Sequence, residues 1–128
     1  MRKLILVLAL AFIIALMLTA CGGDGGSEEA PAAVSAGDAV VGKDLYLVCA
    51  GCHGTDGTGL PNNGKDLTTS DFIKGLTDEE FVEYIKIGRR ISDPLNTTGV
   101  DMPPKGGNPA FTDEDLLNVV AYVRTIVE

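Results

Sequence analysis

The chain has 128 residues, with 10 Lys+Arg against 18 Asp+Glu for a formal charge of −8, and a 45% hydrophobic content swollen by one apolar block at the start. A chain of this length holds one small domain, which excludes a two-domain enzyme, and its acidic balance argues against a nucleic acid or an anionic membrane surface as the electrostatic partner. With no Trp, three Tyr, four Phe and 16 Gly it is poorly supplied with large core-filling side chains, so the domain must find apolar mass elsewhere.

The first element is a targeting segment. Arg2 and Lys3 form a positive start, and Leu4 to Leu18 run fifteen residues without a polar group. That is short of the roughly 20 residues that span a bilayer. The run ends in Leu18-Thr19-Ala20-Cys21, which resembles the lipobox of bacterial lipoproteins. The resemblance implies a signal peptide over residues 1–20 and an acylated Cys21 as the new N-terminus, with two acyl chains giving the stable anchoring that one chain cannot. The protein is then exported and held at the cell membrane by lipid, facing the periplasm or another extracytoplasmic space. Loss of Arg2 and Lys3 leaves 8 basic against 18 acidic residues, a net −10. Residues 21–37 are dominated by Gly, Ser, Glu, Pro and Ala with no apolar period, and they read as a flexible tether. Its root-mean-square span is about 20 to 25 Å.

The globular part runs over residues 38–128, and three helices are expected in it. Asp38 to Val48 carries Val41, Leu45 and Val48 at helical spacing, with Gly42 and Tyr46 on a neighbouring strip. The next two open alike, as Leu76-Thr77-Asp78-Glu79-Glu80-Phe81 and Phe111-Thr112-Asp113-Glu114-Asp115-Leu116. In each, Thr can cap free N–H groups and the acid three positions on can complete a capping box. Gly88 should end the second helix. The third continues toward the terminus with Leu116, Val119, Val120, Val123 and Ile126 on one face.

Between the helices lie two connections, Gly54 to Ser70 and Arg89 to Ala110, of 17 and 22 residues. Loops of that length are unusual in so small a domain, and they are expected to wrap something that is not protein. The chemistry that explains them is Cys49-Ala50-Gly51-Cys52-His53. Cys-x-x-Cys-His places two thiols to add to the two vinyl groups of one haem and the adjacent imidazole to bind its iron. A zinc site would need four N or S ligands, and beyond Cys49, Cys52 and His53 the mature domain has no Cys or His. A thioredoxin-like pair would want a βαβ setting that the strand-poor pattern does not supply. A Cys49–Cys52 disulfide would leave His53 unexplained. For the opposite face of the iron, Met102 is nominated by elimination as the only Met after the signal, carried on a loop stiffened by Pro103 and Pro104.

Taken together, the signal, the first helix, Cys-x-x-Cys-His, a Gly-rich loop, Met102-Pro103-Pro104-Lys105-Gly106-Gly107-Asn108-Pro109 and a helix ending in Ala121-Tyr122-Val123-Arg124 resemble a small class I cytochrome c. The resemblance implies an all-α fold of three to five helices around one covalent haem c with its iron, bound through Cys49 and Cys52 and ligated by His53 and Met102. It also implies that the first and last helices cross near Gly42, with Tyr46 and Tyr122 packed there. The family often places that aromatic four residues before the first Cys, whereas Tyr46 stands three before Cys49. The acceptor for the second ring N–H of the proximal His is commonly a Pro carbonyl in a Gly-Pro-x-Leu segment. The counterpart here is Gly64-Lys65-Asp66-Leu67, with Lys in place of Pro, so Pro61 is taken as the acceptor and Leu67 as a contact of the haem edge. Arg89, Arg90 and Asn96 are within sequence reach of a haem propionate, but are expected to be solvated.

With both axial positions filled, the iron has no place for a substrate, and the expected role is one-electron transfer rather than catalysis. The expected protein is a membrane-tethered monohaem carrier between respiratory or photosynthetic redox partners that offer a basic docking surface. No nucleic acid or small-molecule substrate is expected. The alternative is a fixed haem subunit of a quinol-oxidising complex, an oxidase or a reaction centre. A peroxidase or a gas sensor would require Met102 to leave, and a peroxidase would also need an acid–base group beside an open iron.

Overall fold

The computed structural model describes residues 36–128, so the signal over 1–20, Cys21 and nearly all of the 21–37 tether lie outside the described residues. Within them the chain forms five α-helices and a short 3-10 turn: α1 (Ala39–Leu45), α2 (Leu47–His53), α3 (Asp71–Lys74), α4 (Asp78–Ile87), the 3-10 turn (Pro104–Gly107) and α5 (Asp113–Ile126). The described residues contain no strand, only isolated antiparallel bridges at Leu60–Gly64 and Arg89–Met102. The domain is all-α, as expected. None of these helices is long and apolar enough to cross a membrane.

Helix starts follow the side-chain chemistry read from the sequence. The Asp38 carboxylate accepts from Val40 N and Val41 N at 2.8 and 3.2 Å, satisfying amides that the first turn cannot. Thr77 with Glu80 and Thr112 with Asp115 form complete capping boxes. The bonds from Thr112 hold the Asp115 carboxyl below the usual carboxylate range. Helix α4 ends at Gly88, whose φ of 71° suits glycine. Two elements differ from expectation. The first helix does not stop at Val48: it turns at Tyr46 and continues as α2 through the whole Cys-x-x-Cys-His segment. Helix α3, capped by Ser70, fills the short stretch between the expected loop, which ends at Ser70, and α4, where no element was expected.

The core is built on α5, where Leu116, Val119, Val120 and Val123 are buried as the period required. Fully burying each such side chain stabilises the fold by about 1.5–3 kcal/mol. Phe81, Val82 and Ile85 of α4 meet this face, with Tyr46, Ile73 and Phe111 completing the cluster. Helices α4 and α5 run antiparallel, because Lys86 near the end of α4 pairs with Asp113 at 3.1 Å and Arg124 near the end of α5 pairs with Asp78 at 3.0 Å.

On α1 and α2 the buried strip is not the one that the larger apolar residues suggest. Gly42 and Tyr46 are buried, whereas Val41 and Val48 are 45% and 42% exposed. A Cβ on Gly42 would overlap the Asn118 carbonyl, so the bare glycine lets α1 cross α5 in backbone contact. Tyr46 and Tyr122 stack beside the crossing with ring centroids 5.1 Å apart. The packed body also begins earlier than residue 38: a Cβ on Gly37 would overlap the Leu117 carbonyl, and Asp38 N donates to Asn118 Oδ1 at 2.7 Å.

Candidate functional site

Helix α2 carries Cys49 and His53 one turn apart, with Cys52 between them, so one helical face presents both sulfurs and the imidazole. All three line a cavity of about 1120 Å³, its open mouth included. Met102 and Leu67 line the same cavity, together with Phe72, Tyr84 and Arg89. The two thiols are free. Burial, followed by the neighbouring Cys52, pushes the Cys49 thiol up to about 11. Burial likewise raises the Tyr46 phenol, whose Oη donates to the Gly54 carbonyl at 3.0 Å and fixes the end of α2.

His53 Nδ1 lies 2.8 Å from the Lys65 carbonyl oxygen. A carbonyl can only accept, so the proton sits on Nδ1 and the lone pair of Nε2 is left for a ligand. Pro61, expected as the acceptor, is exposed and outside the cavity lining. The backbone explains the correction. Gly59 N donates to His53 O at 2.8 Å and Leu60 N to Cys52 O at 3.1 Å, after which the chain turns outward through Pro61 and Asn62. It returns at Gly64, paired with Leu60, so close that a Cβ there would overlap the Cys52 carbonyl. The residue after that close approach is Lys65, and its carbonyl is therefore the one delivered to the ring. Its Nζ in turn donates to the Leu95 carbonyl at 2.9 Å, tying this loop to the next one.

That next loop presents Met102. Arg89 N donates to Met102 O at 2.9 Å and Met102 N to Arg89 O at 2.8 Å, a reciprocal pair that pins the methionine backbone beside the end of α4. Gly88 is what allows the approach, since a Cβ there would overlap the Met102 carbonyl. Asn96, expected in solvent, is a staple inside the loop: its Nδ2 donates to Val100 O at 2.8 Å and its Oδ1 accepts from Gly99 N at 3.1 Å. Arg90 is exposed and outside the cavity lining. Arg89 is not solvated as expected. Its side chain is only 10% exposed, with the guanidinium 4.6 Å from the Phe72 ring and 4.9 Å from that of Tyr84. Nothing adjacent to Arg89 in the sequence announces this, because its two aromatic neighbours come from α3 and α4.

Two free thiols, an imidazole with Nε2 available and a thioether converge on one largely apolar cavity, and a buried Arg89 Nε at its wall has no hydrogen-bond partner. Gly106 leaves open the space above Cys49, where a Cβ would stand 3.6 Å from Sγ. No group of three or more His, Cys, Asp or Glu side chains among the described residues is placed to hold a bare metal ion. The free thiols, the available Nε2, the thioether and the apolar walls fit a haem.

An all-α domain that gathers Cys-x-x-Cys-His and a methionine around one apolar cavity has the build of a covalent-haem electron-transfer protein. The chain belongs to the cytochrome c family, whose model matches residues 39–126. It is similar to cytochrome c-555 of Chlorobaculum thiosulfatiphilum, 36% identical over 88 residues, covering 67% of this chain and 93% of that one. It is 31% identical over 97 residues to cytochrome c-554(548) of Halomonas halodenitrificans, covering 68% and 94% respectively. It is also 33% identical over 99 residues to the cbb3-type cytochrome c oxidase subunit FixP of Sinorhizobium medicae, covering 75% of this chain but 31% of that protein. No solved structure matches. The cofactor is a covalently bound haem c with its iron, and the protein is an electron carrier.

Proposed function

We propose that this cytochrome is a monohaem carrier tethered to the membrane by a lipid on Cys21, moving single electrons between respiratory or photosynthetic partners. The observation that carries the reading is the Lys65 carbonyl on His53 Nδ1, which leaves Nε2 free on the cavity that Met102 also lines. Haem iron supplies the one-electron couple. Cys49 and Cys52 hold the macrocycle by thioether bonds, His53 is the proximal ligand and Met102 the distal one, and Leu67 packs on the edge. A methionine ligand raises the reduction potential and leaves no position for a substrate.

Export and anchoring are supported by the apolar run and Leu18-Thr19-Ala20-Cys21. The similarity to an oxidase subunit supports the second reading, a fixed haem subunit of a larger complex.

The test is a pyridine haemochrome assay and a reduced-minus-oxidised spectrum on protein matured with haem-attachment machinery. Covalent haem with a low-spin ferric spectrum is expected, turning high-spin in Met102→Ala. Absence of bound porphyrin, or a spectrum indifferent to Met102→Ala, overturns the ligation. Cys21→Ser should release the protein from membranes into the soluble fraction, and retention would overturn the lipid anchor. Co-purification at fixed stoichiometry with other subunits favours the complex over the mobile carrier.

A further inference from the structure

Arg89 is the residue that the ligation scheme leaves unexplained. A guanidinium is charged at all ordinary pH, and burying one is costly unless its N–H groups are met. Here Nε is buried and meets nothing: Asp93 Oδ2 stands 3.4 Å away, close enough to count as an ion pair but too poorly aligned for a hydrogen bond. What holds the group, besides the charge of Asp93, is stacking on Phe72 and Tyr84, whose rings meet edge to face at 5.0 Å. A desolvated cation over an aromatic face is attracted strongly enough to fix the side chain, though its donors stay unsatisfied.

The backbone of the same residue forms the two-way hydrogen bond with Met102. The pairing is isolated, with no sheet around it to hold its register. Ile91 N, which donates to the Asp101 carboxylate, flanks it on one side, and on the other its position depends on what immobilises Arg89, where the aromatic clamp acts.

We propose that Arg89 is a positioning residue for Met102: its clamped guanidinium fixes the backbone bridge that presents the thioether. The inference rests on Met102 being the distal ligand. The grip on Arg89 holds the sulfur in place. The sulfur competes for the iron with any outside ligand, so a looser bridge reads out as easier displacement.

The experiment titrates imidazole into the ferric holoprotein and follows displacement of the sulfur ligand by its absorption. Arg89→Leu keeps apolar volume but removes the cation, and it is expected to bind imidazole about tenfold more tightly. Phe72→Leu, which opens one side of the clamp and leaves the charge, should show a smaller increase of about twofold to threefold. Gly88→Ala is the positive control, because its Cβ strikes the Met102 carbonyl and disturbs the same bridge directly. Imidazole affinity in Arg89→Leu within twofold of the parent, while Gly88→Ala responds, overturns the proposal. Should Arg89→Leu fail to take up haem, Arg89→Lys and Phe72→Leu carry the decision: a rise in either supports the positioning role, and parental affinity in both overturns it. A parent protein without sulfur ligation in its ferric spectrum would instead overturn the ligation beneath it, an outcome visible before any Arg89 variant is made.

Discussion

At the scale of single residues, two glycines in one helical stretch make opposite demands. Replacing Gly by Ala inside a helix ordinarily gains about 1 kcal/mol, because the unfolded chain loses freedom that the helix does not use. At Gly42 that gain is set against overlap of the new Cβ with the Asn118 carbonyl. A carbonyl in the middle of α5 cannot step aside as a side chain would. Overpacking of this kind costs about 1–3 kcal/mol even where neighbours can give, so Gly42→Ala should lower stability by about 2 kcal/mol. Gly51 lies on the same continuous turn of chain but has nothing within 4 Å of its would-be Cβ. Gly51→Ala should leave stability unchanged or raise it by up to about 1 kcal/mol. Urea midpoints of the two variants, measured side by side, check both signs. Equal shifts would mean that the α1–α5 crossing does not depend on backbone contact.

At the scale of elements, the best-defined lock is Arg124. From the last turns of α5 it donates through Nη1 to Ile73 O at 2.7 Å, through Nη2 to Leu76 O at 2.5 Å and through Nε to Asp78 Oδ1 at 3.0 Å. One planar fork thus joins α5 to the α3–α4 junction. Hydrogen bonds from a charged donor are worth about 1.5–3 kcal/mol, less where solvent reaches them. The side chain is 27% exposed, so Arg124→Met should cost about 2–3 kcal/mol in a urea unfolding curve. Arg124→Lys should recover little of it, since an ammonium cannot match three acceptors arranged for a fork. How much of this was legible in the sequence differs by element. The α4 and α5 starts could be read because capping is local chemistry, spelled out in four residues each. On α1 the apolar period leaves two candidate strips, and it is the resemblance that places Gly42 and Tyr46 at the crossing, where they are found. The choice between the strips was made by how closely Gly42 lets α5 approach, not by apolar area. Helix α3 is four residues long, too short for any period to declare itself. Lys65 occupies the place of the family's proline, and its carbonyl does the same work. A backbone acceptor needs no particular side chain, so the sequence offset marked the site more faithfully than the search for a proline did.

At the scale of the whole molecule, charge and apolar surface make competing claims on how partners dock. The chain carries −8, or −10 once Arg2 and Lys3 are removed, which favours long-range attraction to a basic surface. Against this, α1 and α2 present Val40 and Leu47, 79% and 65% exposed, at positions seven apart on one outward face. An apolar contact there would hold a partner without regard to salt. The two can be separated kinetically. Screening shortens the reach of a charge from about 30 Å at 0.01 M salt to about 8 Å at 0.15 M. Electrostatic steering lifts association from about 10⁵–10⁶ to as much as 10⁸–10⁹ M⁻¹s⁻¹ at low salt. If steering dominates, the second-order rate of electron exchange with a basic redox protein should fall about tenfold or more between 0.01 and 0.3 M salt. Exchange with an acidic protein should rise over the same range. Stopped-flow traces at a series of salt concentrations measure both. A rate flat in salt toward the basic partner would shift the docking role to the apolar face, and in that case Leu47→Lys should slow exchange while leaving the haem spectrum unchanged.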